Sequence, residues 1–284
     1  MTILVTGGNG QLGCSLRLAS AESLHRYIFT DVEELDITSA EAIEEFFQSE
    51  HPDVVVNCAA YTAVERAEAD EARADNINHR AVALLAVACK RHDATLIHIS
   101  TDYIFSGEGD TPYTEECAPA PINAYGRTKL LGERAIEVSG CKSIVLRTSW
   151  LYSEFGRNFC KTMQSLTATR SEVKVVADQI GSPTYAGDLA AAIVYIIESN
   201  QLDKCGIYHY SNEGKCSWYD FACEIAQLSG NNECEIKPCT TEEYPTKAQR
   251  PRYSVLDKSK FISTFGITIP EWYESLAKAV RSSL

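Results

Sequence analysis

Hydrophobic and polar positions along the chain follow two rhythms. Short apolar runs, Ile3-Leu4-Val5, Tyr27 to Thr30, Val54-Val55-Val56, Leu96 to Ile99 and Ile144 to Leu146, alternate with longer stretches of spaced apolar residues. Those stretches are a Leu-spaced segment from Ser15, one after Thr38 with Ile43, Phe46 and Phe47, an Ala-rich segment from Ala81 to Lys90, and one after Tyr125. Spacing of three or four predicts helices, and runs apolar throughout predict strands covered on both faces. The order therefore predicts an α/β fold with a Rossmann-type, doubly wound parallel sheet. Past Trp150 the rhythm weakens to a short run Val173 to Val176 and a helix from Asp188 to Glu198, broken by Pro183, Pro238, Pro245 and Pro251. This predicts a first domain over residues 1–150 and a smaller C-terminal region over 151–284, interleaved with it.

Composition narrows the function classes. With 284 residues, 45% hydrophobic and 23% charged, the chain is long enough for a large core and is neither disordered nor a disulfide miniprotein. Lys and Arg number 26 against 39 Asp and Glu, a net charge of -13 that argues against nucleic-acid and anionic-membrane partners. No apolar run approaches the roughly 20 residues that span a bilayer. The apolar strand and glycines follow residue 1 too closely for a signal peptide, so a cytoplasmic location is expected. Eleven scattered cysteines without a C-x-x-C predict reduced thiols, and six dispersed histidines show no metal-ligand spacing, so no metal is expected.

Gly7, Gly10 and Gly13 form G-x-x-G-x-x-G between the first strand and the first helix. Glycine there permits the tight turn, the approach of a pyrophosphate and close helix packing, with phosphate at the helix N-terminus. Asp31 ends the next strand, where a carboxylate accepts hydrogen bonds from a ribose diol and repels a 2'-phosphate. Dinucleotide binding is expected, with NADPH or NADH as cofactor and a lean to NADH; an Asp that merely ends a strand is the plain alternative.

Tyr125 and Lys129 stand at i, i+4 and share a helix face. A phenol is a poor acid at neutral pH unless a cation stabilises its anion, which Lys129 is spaced to do. Such pairs are common on helix surfaces. This one gains weight from lying downstream of the glycine loop and of Ser100-Thr101-Asp102-Tyr103, which follows a strand at the ligand-collecting edge of the sheet. Thr101 can hydrogen-bond the same substrate oxygen.

With these motifs the chain resembles the extended short-chain dehydrogenase/reductases that act on nucleotide sugars. Further matching segments are Asn57 to Val64, Ser100 to Phe105, Arg147 to Tyr152, Asp178 to Thr184 and Arg250 to Leu256, so the resemblance covers nearly the whole chain. It implies a catalytic trio of Thr101, Tyr125 and Lys129. Tyr103 stands where dehydratases of the family carry Glu, which favours simple reduction of a C4 ketone on a dTDP-linked deoxysugar for surface polysaccharide synthesis. The resemblance further implies a cofactor site of Gly10, Gln11, Leu12, Asp31, Asp36, Ile37, Ala60, Tyr61, Thr62 and Ile99, joined by Tyr125 and Lys129. Thr101, Asp102 and Trp150 would contact the sugar, and Asn158, Lys161 and the segment from Gln179 to Thr184 would approach the nucleotide.

Arg250 and Arg252 offer bidentate clamps for a pyrophosphate in an acidic chain, though they also read as solvated surface charges. Trp150 reads equally as core. Ser15 replaces an acidic residue that serves a magnesium-bridged dimer in some family members, which puts that dimer in doubt. The partner expected is a small-molecule nucleotide sugar, with the protein a monomer or homodimer. A sibling keto-sugar reductase or epimerase, or a non-catalytic regulatory subunit of the same fold, stays open at this point.

Overall fold

The computed structural model describes residues 1–283. Strands β1 (Thr2–Thr6), β2 (Arg26–Thr30), β3 (Val54–Asn57), β4 (Thr95–Thr101) and β5 (Ser143–Thr148) arise from the five apolar runs. A sixth, β6 (Gly206–His209), comes from far down the chain and completes a parallel sheet in the order β6-β5-β4-β3-β1-β2. Alternate residues serve opposite faces. Ile3, Val5, Val54, Val56 and Ile97 bury one way with α1 (Gln11–Ala19), while Leu4, Val55, Leu96 and Val145 bury the other way with α2 (Ala40–Glu50). That two-sided burial is why the strands are apolar throughout.

Between β3 and the Ala-rich helix, here Ala81–Arg91, the structure adds two short helices, Val64–Ala67 and Glu71–Asp75, and a π turn, Asn76–Arg80. Too few of their positions are apolar to register as a period. The fully buried Asn78 of that turn accepts from the Tyr61 N–H at 2.8 Å and donates to the Thr128 hydroxyl at 3.2 Å. It packs so tightly on the helix carrying Tyr125, α3 (Ala124–Ser139), that a Cβ on Gly132 would lie 2.2 Å from the Asn78 carbonyl oxygen. Asn123 caps α3, accepting from the Gly126 N–H at 2.8 Å.

Beyond residue 150 the chain divides its service. The helix Ala186–Glu198 packs on α1 in the same core as the sheet, and Phe261 and Phe265 join it. The rest forms a second body around a two-stranded parallel ribbon, Glu172–Val176 with Glu235–Cys239, covered by the helices Phe159–Thr169, Trp218–Leu228 and Trp272–Ser283. Among the described residues no helix is long and apolar enough to cross a membrane.

Candidate active site

The glycine loop has the geometry its sequence predicts. Gly7 adopts φ +65°, and a Cβ there would lie 2.7 Å from the Ala59 amide nitrogen. Gly10 is the N-cap of α1 and supplies no side-chain cap, so the first N–H groups of the helix remain available to an anion. Leu12 and the three glycines line a cleft of about 560 Å³ with Ala60, Thr62 and Ile99. Gly7, Gly10 and Ala60 also border a second cavity of about 290 Å³, lined by Asp31, Asp36 and Ile37. Two cavities that share Gly7, Gly10, Cys58 and Ala60 in their walls beside an uncapped helix end, one of them lined by a carboxylate, fit the two halves of a dinucleotide. The Asp31 carboxylate accepts from the Asn9 N–H at 3.2 Å and the Val32 N–H at 2.9 Å.

Thr101, Asp102, Tyr125, Lys129 and Trp150 all line the larger cleft. Thr101 ends β4; its hydroxyl donates to Asp102 Oδ1 at 3.1 Å, accepts from the Tyr103 N–H at 3.2 Å, and is bonded to the Tyr125 phenol. Burial pushes the Tyr125 phenol up, Asp102 and Tyr103 add to the rise, and the Thr101 bond opposes it. Lys129 makes no hydrogen bond to the Tyr125 phenol, so the help suggested by the i, i+4 spacing would have to act through space or through a bridging group. Lys129, only 1% exposed, donates to the Ile99 carbonyl at 2.6 Å and lies 3.3 Å from His98 Nε2, so its Nζ is drawn toward β4. Burial lowers Lys129 to about 8, against the pull of Glu133 and Cys58. Burial likewise raises the Asp102 carboxyl to about 7, with the Ser254 and Thr101 hydroxyls restraining the rise.

Trp150 follows β5 with φ +48°, a strained setting for a bulky residue. Its ring lies flat on Trp218 at 3.6 Å and 10°, and Trp218 rests in turn on Phe159 at 4.5 Å. Gly181 packs closely on the indole as well: a Cβ there would lie 2.6 Å from the Trp150 ring. Trp218 and Phe159 escape sequence reading because no spacing links them to Trp150; only the fold stacks them. Tyr103, left without a role in the sequence, lines the cleft and accepts from Arg250 at 3.2 Å, with its ring edge-on to Tyr125 at 5.7 Å.

The remaining expected residues spread along the cleft and beyond it. Gln11 Oε1 accepts from Ser153 at 3.1 Å and from Asn158 at 2.9 Å, which ties the glycine loop to the helix Asn158 caps. Lys161 donates to the Glu154 carbonyl at 2.9 Å, and Tyr61 sits beside Arg73 in the helical layer. Gln179 lines an adjoining cavity of about 610 Å³ together with Arg250 and Trp218. Arg250 pairs with Glu65 at 2.9 Å, while the exposed Arg252 lies 3.6 Å from Glu242 and borders a further hollow with Lys247. Among the described residues no cluster suited to a metal ion occurs.

Over residues 1–284 the chain matches the family described as the RmlD substrate binding domain. It is 41% identical to the dTDP-4-dehydrorhamnose reductase of Aggregatibacter actinomycetemcomitans, covering 99% of this chain and 98% of that protein. It is also 41% identical to the spore coat polysaccharide biosynthesis protein SpsK of Bacillus subtilis, over 98% and 96%. Among solved structures, the dTDP-4-dehydrorhamnose reductase of Bacillus anthracis in complex with NADP superposes with a TM-score of 0.94 at 38% identity, covering 99% of both chains.

Proposed function

The chain belongs to the RmlD substrate binding domain family, and we propose from that premise that it is an NAD(P)H-dependent oxidoreductase reducing the C4 ketone of dTDP-4-dehydro-6-deoxy-L-mannose to dTDP-L-rhamnose. The observation that carries the reading is about 40% identity over essentially the whole chain to reductases of that name, in a protein whose Thr101, Tyr125 and Lys129 line one cleft with the glycine loop. The product would enter surface polysaccharide synthesis, as the likeness to SpsK suggests. Eleven free cysteines suit a reducing compartment, and the protein is read as cytoplasmic, a monomer or homodimer.

The nicotinamide, when bound, supplies the hydride. The protein's own part is to hold the reactants and manage one proton. The α1 N–H groups and Gly7, Gly10 and Gly13 would receive the pyrophosphate, and Asp31 the adenosine ribose. Thr101 donates to the sugar O4 as negative charge develops, and the Tyr125 O–H delivers the proton that turns the alkoxide into the alcohol. Lys129 returns a proton to the tyrosinate. Trp150, backed by Trp218, offers a flat apolar face to the deoxysugar, while Arg250 and Arg252 are the candidate partners of the nucleotide phosphates.

The test follows the loss of reduced-nicotinamide absorbance with purified protein, NADPH or NADH in parallel, and the keto sugar made in situ. Sugar-dependent oxidation is expected, and the Tyr125→Phe protein should bind cofactor yet lose roughly 10²- to 10⁴-fold in kcat. Wild-type turnover in that variant would sink the assignment of the proton donor. Cofactor binding without consumption would shift the substrate to another keto-sugar nucleotide.

A further inference from the structure

The sheet register lines up three polar side chains behind Lys129: Thr6 on β1 pairs with Asn57 on β3, and Asn57 with His98 on β4. All three are at most 1% exposed. Asn57 Oδ1 accepts from the Thr6 hydroxyl at 2.7 Å and from the Ala59 N–H at 3.2 Å. A backbone N–H can only donate, so the amide oxygen is fixed on that side and Nδ2 faces His98 Nδ1, 3.1 Å away. An amide NH₂ can also only donate, so Nδ1 accepts. The single proton of the neutral imidazole therefore sits on Nε2, which is 3.3 Å from Lys129 Nζ. Burial and the nearby lysine both keep His98 neutral.

This geometry distinguishes the two forms of the lysine. An ammonium has no lone pair and would meet the His98 N–H donor to donor; a neutral amine accepts it while still donating to the Ile99 carbonyl. We propose that His98, locked by Asn57 as the Nε2–H tautomer, is a positioning residue that makes Lys129 hold its third proton loosely, so that Lys129 works as a proton donor rather than a fixed charge. The other groups facing Lys129 are compatible with this. Glu133, one turn along α3, is engaged by both Arg147 and Ser100, and burial pushes the Cys58 thiol up to about 12, leaving it neutral. Tyr125 lies one turn back on the same helix. In the reductase reading, on which the functional consequence rests, Tyr125 gives its proton to the sugar alkoxide, Lys129 replaces it through an intervening water, and the resulting amine accepts the His98 N–H until solvent reprotonates it.

Nitrogen-15 NMR of the histidine rings in the wild-type protein should show His98, identified by its absence in His98→Gln, as a neutral ring protonated at Nε2. With ¹³Cε-labelled lysine, Lys129, identified through Lys129→Met, should titrate near pH 8. In His98→Gln, whose amide can turn its oxygen to the ammonium, the midpoint should rise by about one pH unit, a tenfold change in proton affinity. The alkaline limb of kcat/KM should move up with it. An Nδ1–H ring, or a Lys129 midpoint unmoved by the substitution, would overturn the proposal. Should His98→Gln fail to fold, the wild-type spectra decide: a Lys129 midpoint at the ordinary lysine value overturns it. Absence of turnover on the keto sugar would instead count against the reductase reading, with both NMR readouts still judging His98.

Discussion

Gly13→Ala separates a glycine chosen for function from one that is simply tolerated. Gly13 lies in the first turn of α1 and is buried, and inside a helix a change from Gly to Ala ordinarily stabilises by about 1 kcal/mol. Here the new Cβ would lie 2.4 Å from the Gly7 carbonyl oxygen and 2.7 Å from both Gly8 Cα and Gly8 carbonyl carbon. To reach even a 3.0 Å separation from that oxygen, the loop must retreat by about 0.6 Å. Overpacking of this kind costs about 1–3 kcal/mol, so after the propensity gain the fold should lose roughly 0–2 kcal/mol. The greater loss falls on binding, because in the proposed reading the retreating backbone is the surface that would receive the pyrophosphate. Losing one charge-assisted hydrogen bond, at about 1.5–3 kcal/mol, weakens binding by roughly ten- to a hundredfold. Titration calorimetry with NADPH and NADH reads the affinity, and thermal melting reads the fold. A Gly13→Ala protein that melts above wild type and binds both cofactors with unchanged Kd would refute the steric account of the loop.

Arg147 and Glu133 are each 3% exposed and joined by a bidentate pair at 2.7–3.2 Å, so Arg147→Met, which strands a buried carboxylate, should cost about 3–5 kcal/mol in urea unfolding. Asp102, raised to about 7, keeps a proton in the folded state that the unfolded chain releases near pH 4, so it makes stability fall as pH rises across that window, by roughly 4 kcal/mol in all. In urea unfolding from pH 4 to 8, Asp102→Asn should remove that share of the slope, and an unchanged slope would refute the burial argument. Trp218→Ala removes the ring under Trp150 and should raise KM for the sugar by roughly two- to tenfold, the equivalent of about 0.5–1.5 kcal/mol, with cofactor Kd unchanged by calorimetry.

The framework of this fold is legible in its sequence for a steric reason. A parallel sheet covered on both faces demands apolar residues at nearly every strand position, so β1 to β5 announce themselves without periodicity. Gly7 and Gly13 are legible for a similar reason, since a Cβ at either meets backbone below 3 Å. By contrast β6 lies about 60 residues beyond β5, and its run Gly206–His209 ends in Tyr208 and His209, too short and too polar to identify from pattern alone. The Trp150–Trp218 stack and the π turn at Asn76–Arg80 depend on contacts between distant segments, which no local period encodes.

Yet the carboxyl ends of the strands carry a signal that local pattern does hold. Thr6, Asn57, His98, Thr101, Arg147 and His209 interrupt or end runs that are otherwise apolar, and each is buried. A polar group inside a covered sheet is costly unless it is hydrogen-bonded, so such interruptions must answer one another across neighbouring strands. Thr6 answers Asn57, Asn57 answers His98, and Arg147 lies 3.4 Å from His209. Parallel strands keep their register, so interruptions at the same end of successive strands converge, and they converge where an open α/β sheet collects its ligand. Counting strand-end polar residues in a sequence of this class therefore locates the chemistry before any motif is consulted; the motif then identifies which of those residues meets the substrate and which, like His98, acts through a neighbour.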